Sequence, residues 1–148
     1  MYTVRHLLEV KGSQVWTVTP QTTVYEALEL MAAKNCGALV VAEGAHVAGI
    51  FTERDYSRKV VLQGRTSKTT AVGELMTTEI LYVNPDATME ECMALMTQKR
   101  TRHLPVLENA KLAGLVSIGD VVKAVISDRE FTIRELERYI TGGHSSMD

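Results

Sequence analysis

Apolar side chains recur at helical spacing in two segments of the chain. Residues 24–32 place them at i, i+3, i+4, i+7 and i+8, and residues 89–96 place them at i, i+3, i+4 and i+7. This spacing lines one face of an amphipathic helix. The pattern therefore predicts two helices that each bury one face, with Cys92 on the buried face of the second helix.

Shorter apolar runs on both sides of these helices predict strands. Pro20 and Pro85 end the runs that precede the helices, because proline cannot donate a hydrogen bond to a ladder. Each helix is followed by two apolar runs joined by a turn, which predict a hairpin, and then by another helix. The predicted strands are 15–19, 38–42 and 47–52, then 80–84, 103–107 and 112–117, and the helices after the hairpins are 53–63 and 118–127.

The two halves of the chain are copies of one pattern. A shift of 65 positions aligns residues 17–61 with the second half without a gap and pairs Gly49 with Gly114. The order strand, helix, strand, strand, helix therefore occurs twice. Residues 4–8 resemble residues 72–76 at a shift of 68, so each repeat is expected to carry its own lead-in helix.

This organisation predicts an α/β (α+β) fold made of duplicated β-α-β-β-α repeats. Residues 1–64 are the first repeat with its lead-in helix, residues 65–71 are a polar linker, and residues 72–127 are the second repeat. Residues 128–148 have apolar side chains at 133, 136 and 140 among charges, which predicts an amphipathic C-terminal helix and a tail.

The composition is typical of a folded domain outside the membrane. The chain has 148 residues and a mass of 16.4 kDa, and 45% of its residues are hydrophobic, which is enough to form a core. Its formal net charge is −2, so no general attraction to nucleic acid or an anionic membrane is expected. No segment approaches the length of a membrane span, and secretory features are lacking, so a cytoplasmic protein is predicted.

Cysteine and histidine are dispersed along the chain. Cys36 and Cys92 belong to no Cys-x-x-Cys pattern, and the four histidines show no i, i+4 pairing. We therefore expect neither a disulfide framework nor a bound metal.

Two copies of one motif resemble a known family. Residues 49–55 and 114–120 both read Gly-x-x-Thr/Ser-x-x-Asp, and Arg102-His103-Leu104-Pro105 precedes the second copy. This pattern resembles a tandem pair of cystathionine-β-synthase (CBS) domains, the Bateman module, in its stand-alone form. The resemblance implies repeats related by a pseudo-twofold axis, a dimer of modules, and clefts for an adenosine-containing ligand such as AMP, ATP, S-adenosylmethionine or NAD(H).

Each motif places a hydroxyl and a carboxylate at the start of a predicted helix. Thr52 and Ser117 stand where backbone N–H groups are free, so they can donate to a phosphate. Asp55 and Asp120 lie three residues later, and the resemblance implies that they bind ribose hydroxyls. The alternative is a capping arrangement that stabilises the helix without a ligand; both interpretations stay open.

Two glycines are further candidate residues of the ligand site. Gly49 and Gly114 lie in the strands before the motif hydroxyls, where a missing side chain lets another backbone or a flat ring come close.

The two implied clefts differ in their charged residues. Arg102 and His103 precede the second motif and can contact a phosphate or a polar ligand edge, with a solvated strand end as the alternative. The cleft of Ser117 and Asp120 is therefore ranked first. Arg54 lies beside the N-terminus of the predicted helix 53–63 and can reach a phosphate held by the other repeat.

These features favour a binding module over an enzyme. The leading hypothesis is a regulatory module that senses adenine nucleotides and acts on a separate partner protein. The alternative is a structural module with empty clefts, and a homodimer is expected because the apolar faces of two small repeats exceed what a monomer of this size covers. An enzyme is disfavoured because no nucleophile stands beside a base and no Gly-rich phosphate loop is present.

Overall fold

A computed structural model describes residues 2–127 and residue 137. The predicted C-terminal helix, residues 128–148, otherwise lies outside the described residues. The first half contains α1 (Val4–Lys11), β1 (Thr17–Val18), α2 (Val24–Lys34), β2 (Ala38–Glu43), β3 (His46–Thr52) and α3 (Glu53–Asp55), which continues as a π-helical segment over Tyr56–Val61. The second half contains a 3₁₀ turn (Val72–Glu74), α4 (Met89–Lys99), β4 (His103–Glu108), β5 (Lys111–Ser117) and α5 over residues 118–127.

The mixed α/β fold is confirmed, and both repeats contain the predicted helix followed by a hairpin. In the first repeat β1 pairs in parallel with β2, and β2 pairs antiparallel with β3. In the second repeat β4 pairs antiparallel with β5 in the equivalent register, which sets His103 opposite Ser117 as Ala38 is set opposite Thr52. Both hairpins were predicted to within one residue at each end.

The predicted strand over residues 80–84 is wrong. Only Val83 pairs there, in a parallel bridge with Val106, where the Val83 amide donates to the Pro105 carbonyl at 3.0 Å. In the first repeat the Val40 amide donates to the Trp16 carbonyl at 3.3 Å. Pro105 occupies the position of Val40 and has no N–H, so the second ladder cannot extend in the same way.

The two long helices are bounded by the same local chemistry. α2 and α4 each begin with a capping box, made by Thr23 and Glu26 and by Thr88 and Glu91. Each ends at a residue with left-handed backbone, Asn35 with φ of 52° and Arg100 with φ of 53°. The predicted helix over residues 53–63 is helical to residue 61, and Gly64 ends it with φ of 68°.

Each lead-in segment packs in the core of the other repeat. Val4 and Leu7 of α1 belong to the hydrophobic core of the second repeat, and the Val4 amide donates to the Ala87 carbonyl at 2.8 Å. Val72 and Leu75 belong to the core of the first repeat. The expectation that each repeat carries its own lead-in helix is corrected: the segments are exchanged, and the second is a short 3₁₀ turn.

The linker explains why the second lead-in returns to the first repeat. The Val24 amide donates to the Thr70 carbonyl at 2.9 Å, and the Tyr25 amide donates to the Ser67 carbonyl at 3.0 Å. These bonds bind the linker to the start of α2, so Val72 enters the first repeat directly after it. The domain boundaries drawn from the sequence stay a prediction.

Gly49 and Gly114 make room for the exchanged segments. A Cβ atom on Gly49 would lie 2.7 Å from the Thr77 carbonyl oxygen, and one on Gly114 would lie 2.7 Å from Cδ2 of Leu8. At Gly49 the close neighbour is another backbone, which is one of the two expected alternatives, and at Gly114 it is the Leu8 side chain. The approach of a flat ring stays a prediction.

Candidate functional site

A cavity of about 600 Å³ is lined by residues from both repeats. α3 and the end of β3 form one wall, and residues 77–81 and 99–103 of the second repeat form the others. The lining residues are Gly37, Ile50, Thr52, Glu53, Arg54, Asp55, Thr77, Glu79, Ile80, Leu81, Lys99, Arg100, Thr101, Arg102 and His103.

Asp55 is the buried carboxylate of this cavity, with 7% of its surface exposed. Its Oδ2 accepts hydrogen bonds from the Thr52 amide at 3.0 Å and the Thr52 hydroxyl at 3.1 Å. Its Oδ1 accepts from the Thr77 hydroxyl at 3.3 Å and forms an ion pair with Lys59 Nζ at 3.1 Å. The capping arrangement therefore forms, and protein groups supply four partners to the carboxylate.

Four exposed cationic side chains line the same cavity: Arg54, Lys99, Arg100 and Arg102. Arg54 crosses between the repeats, because its Nη1 donates to the Arg100 carbonyl at 3.0 Å. Within the described residues, the ion-paired cations are Arg5, Lys11, Lys59 and Arg65. None of the four cavity cations is paired with a carboxylate in that part of the chain, so their charge is available to an anion.

Arg102 and His103 lie beside both motifs: His103 pairs with Ser117 across the β4–β5 ladder, and the Ile118 amide donates to the Arg102 carbonyl at 2.9 Å. Their expected grouping with Ser117 and Asp120 in one ligand cleft stays a prediction.

Arg102 and His103 line the cavity of Thr52 and Asp55. His103 also lies near Gly37: a Cβ atom on Gly37 would be at an ordinary contact distance of 3.9 Å from His103 Cε1, and 2.6 Å from Glu53 Oε1. The start of β4 therefore packs closely against the first repeat.

Asp120 lies in a different environment. Its Oδ2 accepts from Lys11 Nζ at 2.7 Å and from the Ser117 amide at 2.9 Å, and Lys11 also donates to the Leu115 carbonyl. Burial alone would raise the pKa of Asp120, but the bonds from Lys11 and Ser117 outweigh it and hold the pKa below its ordinary value. Asp120 lines a separate cavity of about 390 Å³ between α1 and α5.

The remaining predicted site residues lie outside the lining of both cavities. Leu104 is fully buried in the core of the second repeat, and Pro105 is buried within β4. Gly49 and Gly114 contact the lead-in segments, as described above, and Ser117 caps α5 through the Asp120 amide. A ligand contact for these five residues stays a prediction.

Several lining residues were missed by sequence reasoning. Thr77, Glu79, Ile80 and Leu81 lie in the segment between the second lead-in and α4, and no motif marks them. Lys99 and Arg100 had a usable signal, since they extend the basic run that ends at Arg102.

The protonation of His103 should make stability depend on pH. Burial lowers the pKa of His103. The positive charges of Lys11 and Arg102 lower this pKa further, whereas the negative charge of Asp120 raises it. A lowered folded-state pKa means that the unfolded chain takes up the proton first, so stability is full above about pH 6.5 and is lost as the pH falls. The loss should be at most about 1.4 kcal/mol per pH unit.

Urea unfolding at several pH values between about 7.5 and 5.5 measures this effect. His103→Gln should flatten the profile, since Asp120, with its lowered pKa, stays ionised over this range. An unchanged slope in His103→Gln would contradict the assignment.

Comparison with known proteins assigns the class. The CBS domain family matches residues 5–61 and 72–127, so the chain belongs to the CBS-domain family and carries two CBS domains. The mitochondrial CBS domain-containing protein CBSX3 of Arabidopsis thaliana is 46% identical over 138 residues, which is 90% of this chain and 66% of that protein. The chain therefore spans slightly less than two thirds of CBSX3.

Solved structures share the fold. A protein with CBS domains from Burkholderia ambifaria MC40-6 has a TM-score of 0.83 and 56% identity, covering 85% of this chain and 95% of that chain. CBSX2, solved in complex with AMP, has a TM-score of 0.70 and 30% identity, covering 87% of this chain and 99% of that chain. The names of these relatives refer to CBS domains, and none is the name of an enzyme.

Within residues 2–127 and 137, no helix is both long and apolar enough to cross a membrane. Because CBSX3 is mitochondrial, the cytoplasmic location expected from the sequence stays a prediction.

Proposed function

We propose that the cavity around Thr52 and Asp55 binds an adenine nucleotide and that the protein is a regulatory module acting on a separate partner protein. The observation that carries this proposal is the composition of the cavity: an apolar part, a buried carboxylate and unpaired cations line one space of about 600 Å³. This volume is within the range of small-molecule sites. The AMP complex of the related CBSX2 supports the same ligand class.

The arrangement of the lining matches the three parts of a nucleotide. Ile50, Ile80 and Leu81 offer apolar contacts for the base. The Asp55 carboxylate can accept hydrogen bonds from ribose hydroxyls, and its longest present bond, to Thr77 at 3.3 Å, is the one that a hydroxyl replaces most easily. Arg54 and the cations of residues 99–102 then bind the phosphate.

Self-association belongs to the same proposal. α5 exposes an apolar stripe at i, i+4 and i+8, formed by Ile118, Val122 and Ile126. The same stripe on a second copy of the chain can cover it, and no different protein is needed. We therefore expect a homodimer. The regulated protein is a further, separate chain.

Adenine nucleotide should stabilise the fold. At a concentration of about 100 times the dissociation constant, linkage contributes about 2.7 kcal/mol. For a chain of this size the melting temperature should then rise by roughly 5–11 °C. Thermal unfolding with AMP, ADP, ATP, NAD(H) and S-adenosylmethionine, each alone, measures the shift, with GMP as the base control.

An increase for at least one adenine ligand and none for GMP is the expected result. No shift with any adenine ligand would contradict the proposal and favour a structural module with empty clefts.

A further inference from the structure

We propose that the cavity prefers adenine nucleotides with two or more phosphate groups over the monophosphate, and that Arg100 determines this preference. The inference rests on the proposed function. It concerns the four cations of the cavity that are not ion-paired, because a nucleoside monophosphate does not need all of them for binding.

The cations that line the cavity come from two segments of the chain, and the exposed carboxylates Glu53 and Glu79 line it with them. Lys99, Arg100 and Arg102 follow one another along the chain, and Arg54 reaches the same segment from the first repeat. Each guanidinium group is a planar fork that binds phosphate oxygens in pairs. Three arginines and one lysine together have more donors than one phosphate can accept, whereas each further phosphate adds acceptor oxygens and negative charge.

The backbone at Arg100 supports a role beyond structure. Arg100 ends α4 in left-handed backbone, with φ of 53° and ψ of 40°, and Asn35 ends α2 in the same way. Asparagine is a common non-glycine residue at such a position, because its side chain lowers the cost of positive φ. Arginine has no such advantage, so its presence is better explained by its charge in the cavity than by the end of the helix.

The equivalent residues of the first repeat carry no such group of cations. By the shift of 65 positions, residues 99–102 correspond to Lys34, Asn35, Cys36 and Gly37. The only cation among these four is Lys34, and its Nζ lies 4.3 Å from the centroid of the Trp16 ring. Gly119 corresponds to Arg54. The duplication therefore preserves the helix end in both repeats but the group of cations in one.

Calorimetric titration of the full chain with adenosine, AMP, ADP and ATP tests the proposal. ADP and ATP should each bind at least about ten times more tightly than AMP. Arg100→Asn should weaken ATP binding by about 10- to 150-fold, the range of one hydrogen bond to a charged group, and weaken AMP binding less. Its melting temperature should be no lower than that of the wild type, because asparagine suits the left-handed backbone.

Two further variants complete the experiment: a control outside the cavity and a second cation inside it. Arg58→Gln removes an exposed arginine that does not line the cavity, and it should leave the ratio of ATP to AMP affinity unchanged. Arg102→Gln removes a cavity cation at a position without positive φ, and it should lower the ratio.

The outcomes separate this inference from the proposed function. AMP binding as tightly as ATP, or a preference for ATP that survives in Arg100→Asn, would overturn the inference and leave the adenine-nucleotide function intact. Binding of no nucleotide would overturn both.

Discussion

Leu7→Ala is expected to destabilise the whole protein by about 2–5 kcal/mol, although Leu7 lies in the lead-in helix of the first half of the chain. Leu7 is 6% exposed and lies in the hydrophobic core of the second repeat with Val83 and Met89. Removing most of its side chain leaves a cavity between α1 and that core. Because α1 belongs to the first half of the chain and packs in the second, both repeats should unfold in one transition.

Val10→Ala is the matched control on the same helix. Val10 is 79% exposed, so its truncation should change stability by less than about 0.5 kcal/mol. Urea unfolding followed by circular dichroism gives both values. Equal effects of the two substitutions, or two separate transitions in the wild type, would contradict the exchange of lead-in segments.

Asp55→Ala is expected to weaken adenine-nucleotide binding by about 10- to 150-fold, the contribution of a hydrogen bond to a charged group. Asp55 is the only aspartate that lines the cavity between the repeats among the described residues. The substitution also removes the acceptor of Thr52, Thr77 and Lys59, so stability should fall by about 1–3 kcal/mol. Asp55→Asn keeps an acceptor oxygen and should be folded if the alanine variant is not.

Asp120→Ala is the control for this prediction. Asp120 caps α5 and pairs with Lys11 outside the cavity, so its loss should lower stability but change affinity by less than the loss of Asp55. Calorimetric titration compares the variants. A larger loss of affinity in Asp120→Ala would restore the ranking expected from the sequence, in which the cleft of Ser117 and Asp120 came first.

Most of the fold was predicted from local patterns in the sequence. The helical spacing of residues 24–32 and 89–96 predicted α2 and α4, and the paired apolar runs predicted one hairpin in each repeat. These features depend on neighbours close in sequence, so periodicity and turn chemistry are sufficient to find them. The capping of α3 by Thr52 and Asp55 was foreseen for the same reason.

Features that depend on contacts between elements distant in the sequence were not foreseen. The predicted strand at 80–84 does not form because Pro105 has no N–H to donate to it. Pro105 lies in β4, so the sequence of residues 80–84 alone does not show this. The site residues were predicted individually, but the sequence did not show that Arg102 and His103 line one cavity with Thr52 and Asp55. Nothing in the spacing of Arg102 relative to Ser117 indicates that Arg102 lines the cavity of Asp55.

Amide hydrogen exchange of the protein with and without saturating nucleotide tests the central claim most directly, because it locates the ligand. We predict slower exchange, with AMP and with ATP, in three segments that line the cavity: residues 52–55, 77–81 and 99–103. Residues 115–120, around the Lys11–Asp120 pair, should change little. Protection confined to residues 115–120, or no protection with either nucleotide, would contradict the assignment of the cavity between the repeats as the nucleotide site.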